Sequence, residues 1–131
     1  MSDQDPLFDV IHTYTRAQAI EDGVLVDVSE TACEAGIKFP CAVTSGVWNR
    51  CVTVPDGIKA QDEAGRLWDV VWMLRAAIPQ SNEADTIRYQ LYVRNTNREK
   101  LDRRDLVTLK AVCGPGDDAE PVITIMLPEE D

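Results

Sequence analysis

The stretch that decides the fold is QDEAGRLWDVVWMLRAAI, residues 61–78. Its apolar side chains recur every three or four residues, which is the period of an amphipathic α-helix. Trp68 and Trp72 widen the apolar stripe until only a narrow polar edge is left, so the pattern predicts a long helix that is almost completely buried. Pro79 marks the end of this helix. The stripe consists of Leu67, Val71, Leu74 and Ile78, and the polar edge of Asp62, Arg66 and Asp69.

After this helix the period of the apolar residues changes from about 3.6 to 2, which is typical of strands. Residues 86–94, 106–113 and 122–127 each show a strand pattern. Three strands joined in sequence most simply form an antiparallel meander that packs through one face onto the long helix. The predicted core consists of Leu67, Trp68, Val71, Trp72, Leu74, Ile87, Tyr89, Leu91, Val107, Leu109, Ile123 and Ile125.

Capping residues and glycines divide the first half of the chain into short helices. Thr15 and Gln18 have the spacing of a capping box, which predicts a helix over residues 16–22. Residues 24–28 are either a short strand or an extended link. Two more short helices are predicted between this segment and the turn at residues 54–57.

These elements predict an α+β fold in a single domain over residues 1–131. N-terminal helices and one long buried helix pack on a three-stranded or four-stranded antiparallel sheet. Residues 1–8 and 128–131 are expected to be flexible tails.

The charge is sorted along the chain. Residues 1–87 carry 14 acidic and 6 basic side chains, residues 88–110 carry 3 and 7, and residues 111–131 carry 6 and none, which gives a net charge of −10. An acidic body with one basic band repels duplex DNA and anionic membranes and attracts basic proteins. No apolar run reaches the about 18 residues of a transmembrane helix, and the acidic start is unlike a signal peptide. We therefore expect a cytoplasmic protein that binds a basic protein surface, and neither duplex DNA nor a membrane.

A basic, partly aromatic platform is the first candidate binding surface. Arg88, Tyr92, Arg94 and Lys110 fall on strand positions opposite the predicted core face. Such a surface suits a phosphate, a nucleotide or an acidic peptide. The competing interpretation is a solvated sheet face whose cations balance acidic neighbours.

An acidic loop is the second candidate. Asp117, Asp118 and Glu120 follow the turn residues of Gly114–Gly116 and lack the ligand spacing of a calcium loop. Carboxylates spaced like phosphates can occupy the basic groove of a nucleic-acid enzyme. The competing interpretations are a charged hairpin loop and an acidity that serves only solubility.

The four cysteines predict no metal site. Cys33, Cys41, Cys51 and Cys113 are separated by 8, 10 and 62 residues, which fits neither paired zinc motifs nor a compact disulfide framework. Each has apolar neighbours, so buried reduced thiols are expected, with a redox or nucleophilic role as the alternative. We expect no cofactor and no catalytic residue on the leading hypothesis.

A strand with His12 and Tyr14 before a helix, followed late in the chain by an acidic residue, is similar to the layout of ADP-ribosyltransferases. The similarity implies an alternative function as an enzyme that uses NAD. His12 and Tyr14 would then bind the dinucleotide, and Glu120, Glu129 or Glu130 would stabilise the positive charge on the departing sugar.

Three blocks, residues 14–29, 65–74 and 106–131, resemble a family of uncharacterised bacterial proteins known only as a domain of unknown function. Members of that family look like accessory genes of plasmids, phages and integrated mobile elements, so the resemblance implies a setting and no activity. Small acidic proteins of such elements often inhibit host defence enzymes. The leading hypothesis is therefore an anti-restriction or anti-CRISPR binding protein of the DNA-mimic type, and a structural partner subunit is a further alternative.

Overall fold

The computed structural model of the protein describes residues 14–80 and 85–130. These residues form an α+β fold with one five-stranded sheet. The helices are α1 (Arg16–Glu21), α2 (Ser29–Glu34), α3 (Ser45–Val47) and α4 (Glu63–Ala77). The strands are β1 (Leu25–Asp27), β2 (Cys41–Thr44), β3 (Thr86–Tyr92), β4 (Leu106–Pro115) and β5 (Pro121–Met126). A π-helix over Trp48–Val52 continues α3, and 3-10 turns cover Ile78–Gln80 and Arg103–Asp105.

The sheet is larger than the sequence predicts and is mixed. Its strand order is β1-β2-β5-β4-β3, with β2 and β5 parallel and all other neighbours antiparallel. The expected sheet of three or four antiparallel strands is therefore wrong in strand number and in direction. β1 and β2 are only three and four residues long, and Cys41–Val43 are buried on every side, so β2 shows no alternation.

The C-terminal meander is confirmed. β3 pairs with β4 and β4 pairs with β5, both antiparallel, and the core residue Tyr89 lies opposite Leu109. α4 packs on this sheet, and the Tyr89 hydroxyl donates a hydrogen bond to the Val70 carbonyl at 2.9 Å. Of the predicted core, the buried members are Val71, Leu74, Tyr89, Leu91, Val107, Leu109, Ile123 and Ile125, while Leu67 and Ile87 are partly buried.

The prediction that α4 is almost completely buried is wrong. Trp68 and Trp72 are 37% and 47% exposed, whereas Val70 is completely buried. Trp72 lies about 160° around the helix from Val70. Because the sheet covers only one side of α4, the apolar residues that the sequence places all around the helix cannot all be buried.

Arg66, assigned from the sequence to the exposed polar edge, is buried at 4% exposure. Its guanidinium donates to Gln61 Oε1 at 3.1 Å, to the Thr53 carbonyl at 3.1 Å, to Asn95 Oδ1 at 2.9 Å and to the Arg94 carbonyl. None of these acceptors is a carboxylate, and burial lowers the pKa of Arg66. One side chain thus joins the segment after the π-helix, the start of α4 and the end of β3.

The C-terminal end of the described chain is held against the sheet. The Thr44 hydroxyl donates to Glu130 Oε1 at 2.8 Å, and Lys110 Nζ donates to the Glu130 carbonyl at 2.7 Å. Within the predicted tail of residues 128–131, Glu130 is therefore anchored and not frayed. The other predicted tail, residues 1–8, lies outside the described residues.

Candidate functional site

The outer side of α4 is an exposed and mostly apolar surface, which we call the tryptophan face. Trp68 and Trp72 are one helical turn apart, so their side chains meet on the helix surface. Their rings stack with centroids 5.7 Å apart and planes inclined by 13°. The face consists of the exposed α4 residues Glu63, Ala64, Gly65, Trp68, Asp69, Trp72, Met73 and Ala76.

The charges on the tryptophan face are all negative. Glu63 and Asp69 are its only charged residues, and Asp69 forms no hydrogen bond or ion pair within the described part of the chain. Partial burial raises the pKa of Asp69. A cation near this surface is attracted by the charge of the carboxylate and also by the negative faces of the exposed aromatic rings. The arrangement is suited to binding a basic group.

The acidic loop is largely occupied by its own structure. The two carboxylate oxygens of Asp117 accept hydrogen bonds from the amides of Arg16 at 2.7 Å and Ala17 at 3.0 Å, which caps α1. Glu120 Oε1 accepts from the Asp118 amide at 3.0 Å. The loop therefore brings all three predicted carboxylates together, but only the Asp118 carboxylate has no hydrogen bond to the rest of the described chain.

The predicted basic platform is only partly assembled. Arg88 and Lys110 lie directly opposite each other on β3 and β4, and Tyr92 lies on the same face of β3. Lys110 is engaged with C-terminal carbonyls, as described above. Arg94 lies beyond the end of β3, and its guanidinium donates to two backbone carbonyls of the following loop. The structure brings Arg88, Tyr92 and Lys110 together and directs Arg94 elsewhere.

Ion pairs neutralise much of the remaining basic band. Arg98 pairs with Asp105 at 2.5 Å and Arg104 with Asp102 at 2.7 Å. Hydrogen bonds from Arg104 hold the pKa of Asp102 well below its usual range. The backbone amide of Asp102, together with Arg98, lowers the pKa of Asp105. The loop of this band thus pairs Arg98 and Arg104 internally, while Lys100 and Arg103 are exposed and have no ion pair within the described residues.

The residues of the ADP-ribosyltransferase interpretation lie only partly within the described chain, so this interpretation stays a prediction. His12 lies outside the described residues, and the Tyr14 hydroxyl donates to Asp22 at 2.8 Å, which raises the pKa of Tyr14. Glu120 precedes β5, whereas Glu129 follows its other end. A strand of that length separates the two carboxylates by about 20 Å.

The thiols differ in their surroundings. Cys41 and Cys51 are buried, and burial raises their pKa values to about 12 and about 11. Cys33 is exposed and Cys113 is half-buried, so the prediction of burial is wrong for Cys33. Across residues 14–80 and 85–130, no three His, Cys, Asp or Glu side chains are grouped to hold a metal ion.

The tryptophan face was missed by sequence reasoning because its indoles were assigned to the core. The available signal was an excess of apolar residues: α4 is apolar on the side opposite Val70 as well as on the side of Val70. A helix that is apolar on all sides is either buried in the core on every side or presents an apolar face to a partner.

The fold and the tryptophan face define a small acidic α+β protein with an exposed aromatic surface. The chain belongs to the Family of unknown function (DUF6573), whose profile matches residues 6–131. This confirms the family resemblance, while the association with mobile elements stays a prediction. Comparisons with curated proteins and with solved structures found no match. No helix among the described residues has the length and apolar character needed to cross a membrane.

Proposed function

We propose that the protein is a binding protein that acts without catalysis and engages a basic protein surface through the tryptophan face. The observation that carries this proposal is the exposed, stacked pair of Trp68 and Trp72 beside Asp69. Tryptophan is the residue type most enriched among those that dominate binding energy at protein interfaces. A helix face that leaves two indoles in water is therefore suited to burial against a partner.

The charge of the chain supports a basic partner. A net charge of −10 steers cationic surfaces toward the protein. At contact, the tryptophan face offers indole rings and the carboxylates of Glu63 and Asp69, and no cation that would repel arginine or lysine. Asp117 caps α1, and Glu120 accepts a hydrogen bond within its own loop. We therefore place the centre of the interface on α4 and not on the acidic loop.

The partner class that fits these charges best is a nucleic-acid enzyme of the host, whose binding groove is basic. Inhibition of such an enzyme on behalf of a mobile element, as an anti-restriction or anti-CRISPR protein, is the setting that we propose. The alternative of an NAD-dependent transferase depends on His12, which lies outside the described residues, and on Glu120, Glu129 or Glu130 as the single acid.

The proposal can be tested by affinity capture from host lysate, followed by affinity measurement with the captured partner. We expect basic nucleic-acid enzymes to bind at 0.1 M salt and to weaken at 1 M, where the Debye length falls from about 10 Å to about 3 Å. Truncation of Trp68 and Trp72 together to alanine should weaken binding by about 100-fold or more, because hot-spot residues contribute about 2 kcal/mol or more each. Asp69→Asn should mainly slow association.

The control variant is Arg88→Ala, which removes a cation from the sheet face. This control should bind as the unmodified protein does. Loss of binding in the control with full binding by the tryptophan variant would place the interface on the sheet and contradict the proposal. Asp118→Lys tests the acidic loop separately. A loss of affinity in that variant alone would show that the partner binds the loop and not the tryptophan face.

A further inference from the structure

A groove runs between the end of α4 and one end of the sheet, away from the tryptophan face. Its volume is about 570 Å³, which lies within the range of about 300–1,000 Å³ typical of small-molecule sites. We call it the Arg75 groove. Its apolar walls are formed by Ile37, Phe39, Ile78, Ile87 and Ile123.

Two cations border these apolar walls. Lys38 and Arg75 both line the groove, and neither forms an ion pair within the described residues. Gly36 has φ +99°, and a Cβ there would lie 3.1 Å from Arg75 Nε. The Arg75 side chain thus lies along the bare backbone of Gly36, which keeps its guanidinium at the wall of the groove.

The groove is polarised along its length. Past Ile78 it continues as a smaller cavity of about 40 Å³ that reaches the core residue Leu74 and is bordered by Asp85. An anionic group is repelled at the Asp85 end and attracted at the end with Lys38 and Arg75. An apolar chain directed toward Leu74 would contact Ile78, Ile87 and Ile123, which line both the groove and the smaller cavity.

We propose that the Arg75 groove binds a single-chain apolar molecule with an anionic head, of the acyl carboxylate class. The carboxylate lies between Lys38 and Arg75, and the chain runs past Ile78 toward Leu74. This inference is independent of the tryptophan face, since the two surfaces share no residue. The occupant follows from the charges. Lys38 and Arg75, which have no ion pair within the described residues, border the groove, and Asp85 borders the apolar cavity next to it.

The probe is decanoate below its micelle concentration, measured by calorimetry on the full chain and compared with decanol and decyltrimethylammonium. We expect saturable binding of decanoate and at least 10-fold weaker binding of the neutral and cationic compounds. Lys38→Gln and Arg75→Gln should each weaken decanoate by about 10-fold, as expected for a hydrogen bond to a charged group. Lys100→Gln, which removes an exposed cation from the distant loop, is the matched control and should not change the affinity.

A second readout locates the ligand. Cys113 lines the groove, so decanoate should slow its alkylation in a Cys33→Ser background, in which the exposed competing thiol is absent. Lys38 is exposed, so Lys38→Gln keeps the test valid even if Arg75→Gln unfolds the protein. The proposal is overturned by equal binding of all three compounds, by unchanged affinity in both variants, or by alkylation of Cys113 that decanoate does not slow. Binding of an acidic, apolar peptide where decanoate fails would also overturn it, and would assign the groove to a protein partner.

Discussion

Arg66 shows how much of this fold rests on one side chain. Its guanidinium is buried among carbonyl and amide oxygens contributed by segments up to 29 residues away in sequence. Taking a cation out of water is costly, and here the cost is offset by hydrogen bonds to neutral acceptors and not by a counter-ion. Such a residue specifies where the π-helix segment, α4 and β3 must meet.

The different environments of Leu74 and Trp68 predict unequal costs of truncation. Leu74→Ala should lower the free energy of unfolding by about 3–5 kcal/mol, because Leu74 is 1% exposed in the core. Trp68→Ala removes a larger side chain but should cost only about 1–2 kcal/mol, since much of the indole is in water and its main loss is the stack with Trp72. Denaturant titration of both variants measures the difference. A greater loss for Trp68→Ala would show that the indole is buried.

Residue by residue, the sequence predicted the core face of β3 correctly and the faces of α4 only in part. Tyr89 and Leu91 are buried as expected. Alternate residues of a strand lie on opposite faces, so there are only two possible core faces, and only the face with Tyr89 and Leu91 is apolar. Around α4 almost every position is apolar, so the pattern does not say which side the sheet covers. The acceptors of Arg66 lie outside α4, and no local rule finds them.

At the scale of elements, the Asp117 carboxylate connects the loop between β4 and β5 to the start of α1. Asp117→Ala should destabilise the protein by about 1 kcal/mol, the usual loss for a side chain that caps a helix. Faster hydrogen exchange at the amides of Arg16 and Ala17 should accompany the loss, since these amides donate to Asp117.

Asp118→Ala is the matched control for this cap. The Asp118 carboxylate has no hydrogen bond to the described chain, so its removal should change stability by less than about 0.5 kcal/mol. Equal effects of the two variants would mean that the loop and α1 are not coupled through Asp117.

Local capping signals predicted α1 and α3 correctly, whereas α2 begins at Ser29 and has no side-chain cap. Thr15 and Gln18 form the expected capping box of α1, and Thr44 caps α3 as its spacing suggests. The π-helix after α3 and the parallel contact between β2 and β5 were not predictable in the same way. Both depend on long-range packing, and β2 is too short and too uniformly buried to show a strand pattern.

For the whole molecule, burial predicts the order in which the thiols react. A reagent that consumes thiolates should modify Cys33 fastest and Cys113 more slowly, because they are exposed and half-buried. Cys41 and Cys51, with pKa values of about 12 and about 11, should stay unmodified at pH 8 until denaturant is added. Mass spectrometry of alkylated peptides measures this order. Native modification of Cys41 at the rate of Cys33 would contradict the packing of β2.

The acidity of the whole chain was evident from the sequence. The sequence did not show which charged side chains form internal hydrogen bonds and which remain available to a partner. Asp117, Glu120, Arg94 and Lys110 are charged residues that the fold uses for internal hydrogen bonds. The two surfaces that we propose for recognition, the tryptophan face and the Arg75 groove, become visible only when the partners of each charge are known.

The central position of β5 has a consequence for how the protein is made. β1 with β2, and β3 with β4, are two separate strand pairs, and only β5 joins them into one sheet. β5 follows both pairs in the chain. During synthesis all four strands of the two pairs are therefore made before β5 leaves the ribosome. Until then the inner edges of β2 and β4 are open to other chains. A product that stops short of residue 121 carries two such edges, so premature release leaves a chain that chaperones and proteases must handle.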